Sequence, residues 1–214
     1  MAKSDIAFLL APGAGASCAH PRMQAFARLL ETLGPVTPFD YPYRVEGKKR
    51  PDPLPRLIEA HRAALNALRA KHNGRIVLVG KSMGGRVGCH VALVEPVSAV
   101  ICFGYPLCGA GDRAKLRDKV LLQLSTPAMF IQGTRDPLCP LDLFEDVRSR
   151  MTARTHAHIV EGGDHSLLVS KAQLKATGRT QEQVDTDIGV AIYGFLARVR
   201  SSTQPLLEPD IIID

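Results

Sequence analysis

Ser82 stands in the run GKSMGG, residues 80–85, directly after the apolar stretch IVLV. A glycine-bracketed serine at such a place fits two turns with different chemistry. In a phosphate-binding loop, GxxxxGK[ST], flexible residues join two glycines so that backbone N–H groups can wrap a phosphate. Counting back from Gly80 puts the first of those glycines at position 75, which is Arg75, and Gly74 lies one residue too far. Ile76, Val77, Leu78 and Val79 are bulky or β-branched and belong in a buried strand, not in a loop around a phosphate. The second turn is GxSxG, in which a strand ends, turns sharply and enters a helix, lifting the serine hydroxyl to the tip. Gly80, Ser82 and Gly84 fill those positions, with glycine required where strand and helix approach too closely for side chains. The pattern predicts a nucleophilic serine; its bland competitor is a glycine-rich turn with a capping serine.

A serine hydroxyl attacks well only when a histidine takes its proton and a carboxylate orients that histidine. In strand–turn–helix sites of this kind the acid and then the base follow the serine along the chain, each on a turn after a strand. AMFIQ is followed by GTRDPL, which puts Asp136 in such a turn, and HAHIV by EGGDHSL, which does the same for His165. Among the other histidines, His61 and His72 read as lying on a polar helix, His90 on the helix after Ser82, and His156 and His158 at the last strand; His20 is the other histidine in a loop at the reactive edge. Asp164 and Asp142 are the rival acids. Asp164 adjoins His165, and neighbours in sequence usually point apart; Asp142 lies beyond Pro140. Pro137 biases Asp136 toward an extended turn, although Asp136 could also serve only to cap the following helix. The oxyanion of acyl transfer needs two backbone donors. Met83 N–H is one expected donor and Ala14 N–H, in APGAGAS, the other, with Gly13 as the alternative.

These residues need elements to carry them. Continuous apolar runs at 6–10, 36–41, 76–79, 99–103, 128–132 and 157–160 read as strands, and the stretches 23–33, 54–72, 86–93, 141–151 and 184–199 as helices. Leu57, Ala60, Ala64, Ala67 and Leu68 recur at helical intervals and make one apolar stripe. Strands apolar on both sides suit a parallel sheet covered by helices on both faces. The regular alternation therefore predicts an α/β fold, a three-layer α/β/α sandwich around a mostly parallel sheet of about six strands, with right-handed crossovers. Residues 42–55, rich in proline and charge, read as a surface loop, and 104–125 as a connection with at most a short helix. Residues 1–200 form one domain, and 201–214 a tail that is loose or docked.

With 214 residues and a formal charge of +6, the chain is large enough for one buried core. Its dispersed basic residues do not suggest nucleic-acid binding. Lys81, Arg86 and Arg135 adjoin the motifs and suit an anionic substrate, and solvated surface charge explains them as well. No apolar run approaches the ~20 residues that span a bilayer, and the N-terminal segment reads as a strand rather than a signal peptide. Five cysteines without CxxC spacing predict neither a disulfide framework nor a zinc site, and point to the cytoplasm. Cys102, Cys108 and Cys139 fall near the reactive edge, as pocket lining or as buried small hydrophobes. No metal or cofactor is expected: GAGASC faintly matches a dinucleotide fingerprint, but Cys18 occupies the third glycine position and His20-Pro21 interrupts the run into the helix.

With GKSMGG, GTRDPL and GGDHSL in this order, residues 6–199 resemble the α/β-hydrolase superfamily. APGAGAS, FDYPYR and GKSMGGR are similar to one compact branch, the testis-expressed-protein-type and NSL-complex-subunit-type hydrolase-like domains, neighbours of dienelactone hydrolases. The resemblance implies Ser82 as nucleophile, Asp136 as acid and His165 as base in a reduced version of the fold. The chain opens at what would be the third strand and has PGAG in place of HGGG, which speaks against lipase-like chemistry. The expected activity is a serine hydrolase of small esters or thioesters. The rival is a hydrolase-fold interaction module with a protein partner, because some relatives act that way.

Overall fold

A computed structural model describes residues 5–201. The chain runs β1 (Ile6–Ala11), α1 (Pro21–Glu31), β2 (Val36–Pro38), α2 (Pro42–Val45), α3 (Leu54–Arg69), β3 (Arg75–Lys81) and α4 (Met83–Ala92). It continues through β4 (Ala99–Phe103), α5 (Lys119–Gln123), β5 (Ala128–Gly133), α6 (Leu141–Ser149), β6 (Thr155–Val160), α7 (Lys171–Thr177) and α8 (Gln181–Ser201). The six strands form one sheet in the order β2-β1-β3-β4-β5-β6, every pair parallel.

Each central strand is apolar on both faces because each face meets helices. Ala7, Leu9 and Ala11 of β1 and Leu78 of β3 point into one core, with Leu57 and Leu65 of α3, Val87 of α4 and Phe144 of α6. Ile6, Phe8, Leu10, Val77 and Val79 point the other way, against Met23, Phe26 and Leu30 of α1 and Ile188, Ile192 and Phe195 of α8. This is the expected three-layer sandwich.

Three readings change. The second strand ends at Pro38, not at 41. Phe39 N–H still reaches Leu10 O, but the Asp40 carboxylate then accepts from Cys18 N–H at 2.7 Å and turns the chain off the ladder. The supposed surface loop begins with α2, whose Pro42 occupies the first turn, where its missing N–H costs nothing. His61 is not on a polar surface: it is fully buried on α3, with Nδ1 3.1 Å from the Tyr41 hydroxyl, and burial pushes its imidazole down to about 3. Helix α7 was not foreseen. Ser170 accepts from Gln173 N–H and Gly178 ends the helix at φ +63°, so a Ser-x-x-Gln start and a glycine stop are its signals. The tail beyond residue 201 lies outside the described residues.

Candidate active site

Strand β3 stops at Lys81, and Ser82 takes φ 52°, ψ −116° before α4 begins. A non-glycine residue at positive φ costs about 1–3 kcal/mol and persists only where its surroundings hold it. Here Ser82 N–H donates to Phe103 O at 3.0 Å, and Arg86 N–H to Ser82 O at 3.1 Å. The flanking glycines are sterically required. A Cβ on Gly80 would lie 2.2 Å from the Gly84 carbonyl carbon, and one on Gly84 would lie 2.5 Å from Ala11 O.

His165 arrives on the turn after β6, with Nε2 2.8 Å from Ser82 Oγ and Nδ1 2.8 Å from Asp136 Oδ2. An ionised carboxylate only accepts, so Nδ1 carries the proton and Nε2 is left to accept from the serine hydroxyl. The Asp136 side chain has no exposed surface, and its second oxygen accepts from Leu138 N–H at 2.9 Å. The Asp136 turn and the His165 turn are bonded together: Arg135 N–H donates to Gly163 O, and Gly162 N–H to Thr134 Oγ1 at 2.7 Å.

The rival residues have other work. Asp164 Oδ1 accepts from Ser166 and Leu168 N–H, folding the His165 loop around itself. Asp142 pairs with Arg113 on the surface. His20 caps α1, its Nδ1 accepting from Arg22 N–H at 3.2 Å. All five cysteines are free and buried, Cys102 lying 3.9 Å sulfur to sulfur from Cys89 in the core, so they are packing residues.

The loop after β1 closes over the serine: a Cβ on Gly13 would lie 3.5 Å from Ser82 Cβ and 3.4 Å from Lys81 Cδ. Tyr43, fully buried on α2, donates its hydroxyl to Ala14 O at 2.8 Å and so braces that loop. Neither Ala14 N–H nor Met83 N–H bonds to another described backbone or side chain. Lys81 is half-buried beside them. Burial pushes its ammonium down to about 8, against the opposing pull of Asp136 and Asp164.

One positioning device escaped the sequence reading. Arg22 of α1, 7 % exposed, donates Nε to Ser166 O at 2.8 Å and Nη2 to Leu167 O at 3.3 Å. Its outer face is forked onto Asp185 of α8 at 2.5 and 2.9 Å, and its guanidinium lies 4.3 Å over the Phe26 ring. The clamped loop needs it, because Leu167 is held at φ 61° although it is not glycine. An arginine in the first turn of a helix gives no hint of this, since arginines are mostly exposed. Among the described residues no group of three or more His, Cys, Asp or Glu side chains could hold a metal ion.

Residues 4–196 match the family described as an alpha/beta hydrolase domain. The chain belongs to the α/β-hydrolase family. Solved structures of similar fold include a lidless α/β serine hydrolase from Xanthomonas campestris, 17% identical with TM-score 0.69 over 92% of this chain and 84% of that one. An alpha-beta serine hydrolase homologue from Coxiella burnetii is 17% identical, TM-score 0.66, covering 93% and 86%. A dienelactone hydrolase from Anabaena variabilis is 19% identical, TM-score 0.65, covering 92% and 87%. At these identities the likeness concerns the fold, and within this α/β-hydrolase chain the chemistry must be read from the residues themselves.

Proposed function

We propose that the protein is a serine hydrolase that cleaves a small ester or thioester through an acyl-enzyme on Ser82. The observation that carries this reading is the unbroken chain of hydrogen bonds from the buried Asp136 carboxylate through His165 to the Ser82 hydroxyl, each link 2.8 Å. Ser82 Oγ attacks the carbonyl carbon while His165 Nε2 takes its proton, and the imidazolium formed faces Asp136. The carbonyl oxygen, now an oxyanion, is held by the Met83 and Ala14 amides. Removing one such donor typically costs about 10²–10³ in turnover. Collapse of the tetrahedral intermediate breaks the bond to the alcohol or thiol, which leaves with the proton from His165. Water, deprotonated by the same imidazole, then releases the acid and restores the serine.

Other features support the details. Residues 104–125 hold one five-residue helix, α5, too little for a lid, which favours small or exposed acyl groups. Tyr43 of FDYPYR bonding to Ala14 of APGAGAS gives a physical reason for these two segments to occur together, and supports placement in the compact testis-expressed-type branch. Five buried free thiols suit a reducing cytoplasm, and no described helix is long and apolar enough to cross a membrane.

The test is labelling with a fluorophosphonate probe, which reacts with activated serines. Wild type should label and Ser82→Ala should not; equal labelling of the two, or none of either, refutes the covalent mechanism. In steady-state hydrolysis of p-nitrophenyl acetate, His165→Ala should fall to near the uncatalysed rate, and Asp136→Asn by about 10⁴, because the wrong imidazole tautomer then faces the serine. Identical trivial rates for wild type and His165→Ala, with capture of a stable partner, would instead identify an interaction module.

A further inference from the structure

Arg86 lies four residues after Ser82 on α4, about 6 Å further along the helix axis. It is not exposed, its Nε is fully buried, and that Nε has no hydrogen-bond partner. No ion pair or side-chain hydrogen bond holds its guanidinium among the described residues. Arg22 is held by Asp185 and two carbonyls, and Arg117 by the carbonyls of Pro106 and Cys108. Arg44 and Arg75 each have one buried nitrogen without a partner too, but their guanidinium groups still reach Lys48 O and the Asp5 carboxylate. A buried donor left unpaired costs about 1–3 kcal/mol, and more when charged.

Arg86 borders a cavity of about 550 Å³ between α4 and the 109–120 segment. Arg117, Lys115, Lys119 and His90 share the lining, with Asp112 the one acidic residue there. Burial pushes the His90 imidazole down, and the Arg86 charge adds to the effect. Asp118, the next acid in the chain, sits 3.7 Å from Arg150. Four full positive charges thus face one negative charge in a cavity within the range of small-molecule sites, roughly 300–1,000 Å³. The multiply charged oxygen cluster of a phosphate matches this excess, and a planar guanidinium with two flexible ammonium groups at the rim suits it.

We infer that this cavity is a binding site for the phosphate or diphosphate group of a small-molecule ligand, with Arg86 as its inner anchor. Its place one helical turn from Ser82 makes the group part of the substrate, a clause that rests on the hydrolase reading above; the anion site itself does not.

The test is isothermal titration of inorganic pyrophosphate into the full chain in low salt. Wild type should bind saturably at one site, and Arg86→Gln should weaken binding by about tenfold or more. Arg56→Gln, which removes the same charge from an exposed position on α3 outside the cavity, should change it by less than about twofold. Lys115→Gln with Lys119→Gln, both exposed and so neutral to folding, should weaken binding by about fivefold and keeps the test valid if Arg86→Gln fails to fold. Absence of saturable binding to wild type, or equal weakening by Arg56→Gln and the cavity variants, overturns the site. Fluorophosphonate labelling of the same samples separates the two ideas. Labelling without pyrophosphate binding sinks the cavity alone, and binding without labelling sinks the hydrolase reading and its substrate clause.

Discussion

Replacing Arg22 by methionine keeps the bulk of the stem over Phe26 and removes the fork that ties α1, α8 and the His165 loop together. Breaking a buried ion pair by deleting one partner costs about 3–5 kcal/mol, chiefly for the charge left behind. Asp185 keeps 22% of its side chain exposed and can regain water, which selects the lower end, about 3 kcal/mol. Leu167 O still receives Gln181 Nε2 at 3.0 Å, so the one carbonyl left short is Ser166 O, adding about 1 kcal/mol. For a chain of this size about 3–4 kcal/mol lowers Tm by roughly 6–16 °C. Removing both charges, Arg22→Met with Asp185→Leu, should cost less than the sum of the two single changes by at least ~1.5 kcal/mol. Thermal unfolding of the four proteins measures this cycle. Ester hydrolysis gives the second readout: a base loop displaced by about 1 Å should lower kcat up to ~10²-fold, with KM nearly unchanged. A Tm within 2–3 °C of wild type for Arg22→Met, against the expected drop, or strictly additive single changes, would refute the clamp.

Lys81 predicts a pH signature. Its folded ammonium loses a proton near about 8 and its unfolded one near 10.5, so between those values the folded protein has already released a proton that the unfolded chain keeps. Stability from this group therefore rises as pH climbs through that window, and Lys81→Met should be more stable than wild type by roughly 2–3 kcal/mol at pH 7, the advantage vanishing near pH 10.5. Denaturant unfolding at several pH values checks it; a constant difference between the two proteins goes against it. Glycine replacements should divide sharply. Gly84→Ala drives a methyl onto Ala11 O and should cost more than about 3 kcal/mol or prevent folding, whereas Gly15→Ala, with nothing within 4 Å of the new methyl, should stay within about 0.5 kcal/mol.

Much of this was legible in the chain. Runs such as IAFLLA and AMFIQG are apolar on both sides, a signal that survives any tertiary context, and β1 and β5 fall where those runs lie. The turn around Ser82 is written locally because Gly80 and Gly84 answer to clashes within a few residues of each other and with the neighbouring strand. Devices made by remote partners were not legible. Arg22 meets Asp185 across 163 positions, and Tyr43 meets Ala14 across 29; neither pair has a spacing rule. His61 was misplaced because its helix carries enough charge to read as polar, while its burial depends on Tyr41 and Phe39 arriving from the β2–α2 connection. The second strand was overextended because Phe39 and Tyr41 have high strand propensity, and the Asp40–Cys18 bond that overrides it spans 22 positions.

The sheet order places Ser82 at the end of a central strand and His165 beyond the outermost one, 83 positions later. A nascent chain that has left the ribosome only through α6 owns the Ser82 hydroxyl and the Asp136 carboxylate but not the His165 imidazole. The activity proposed for this site is thus a late timestamp of folding, not an early one. In a refolding time course it should trail the burial of β1, β3 and β4.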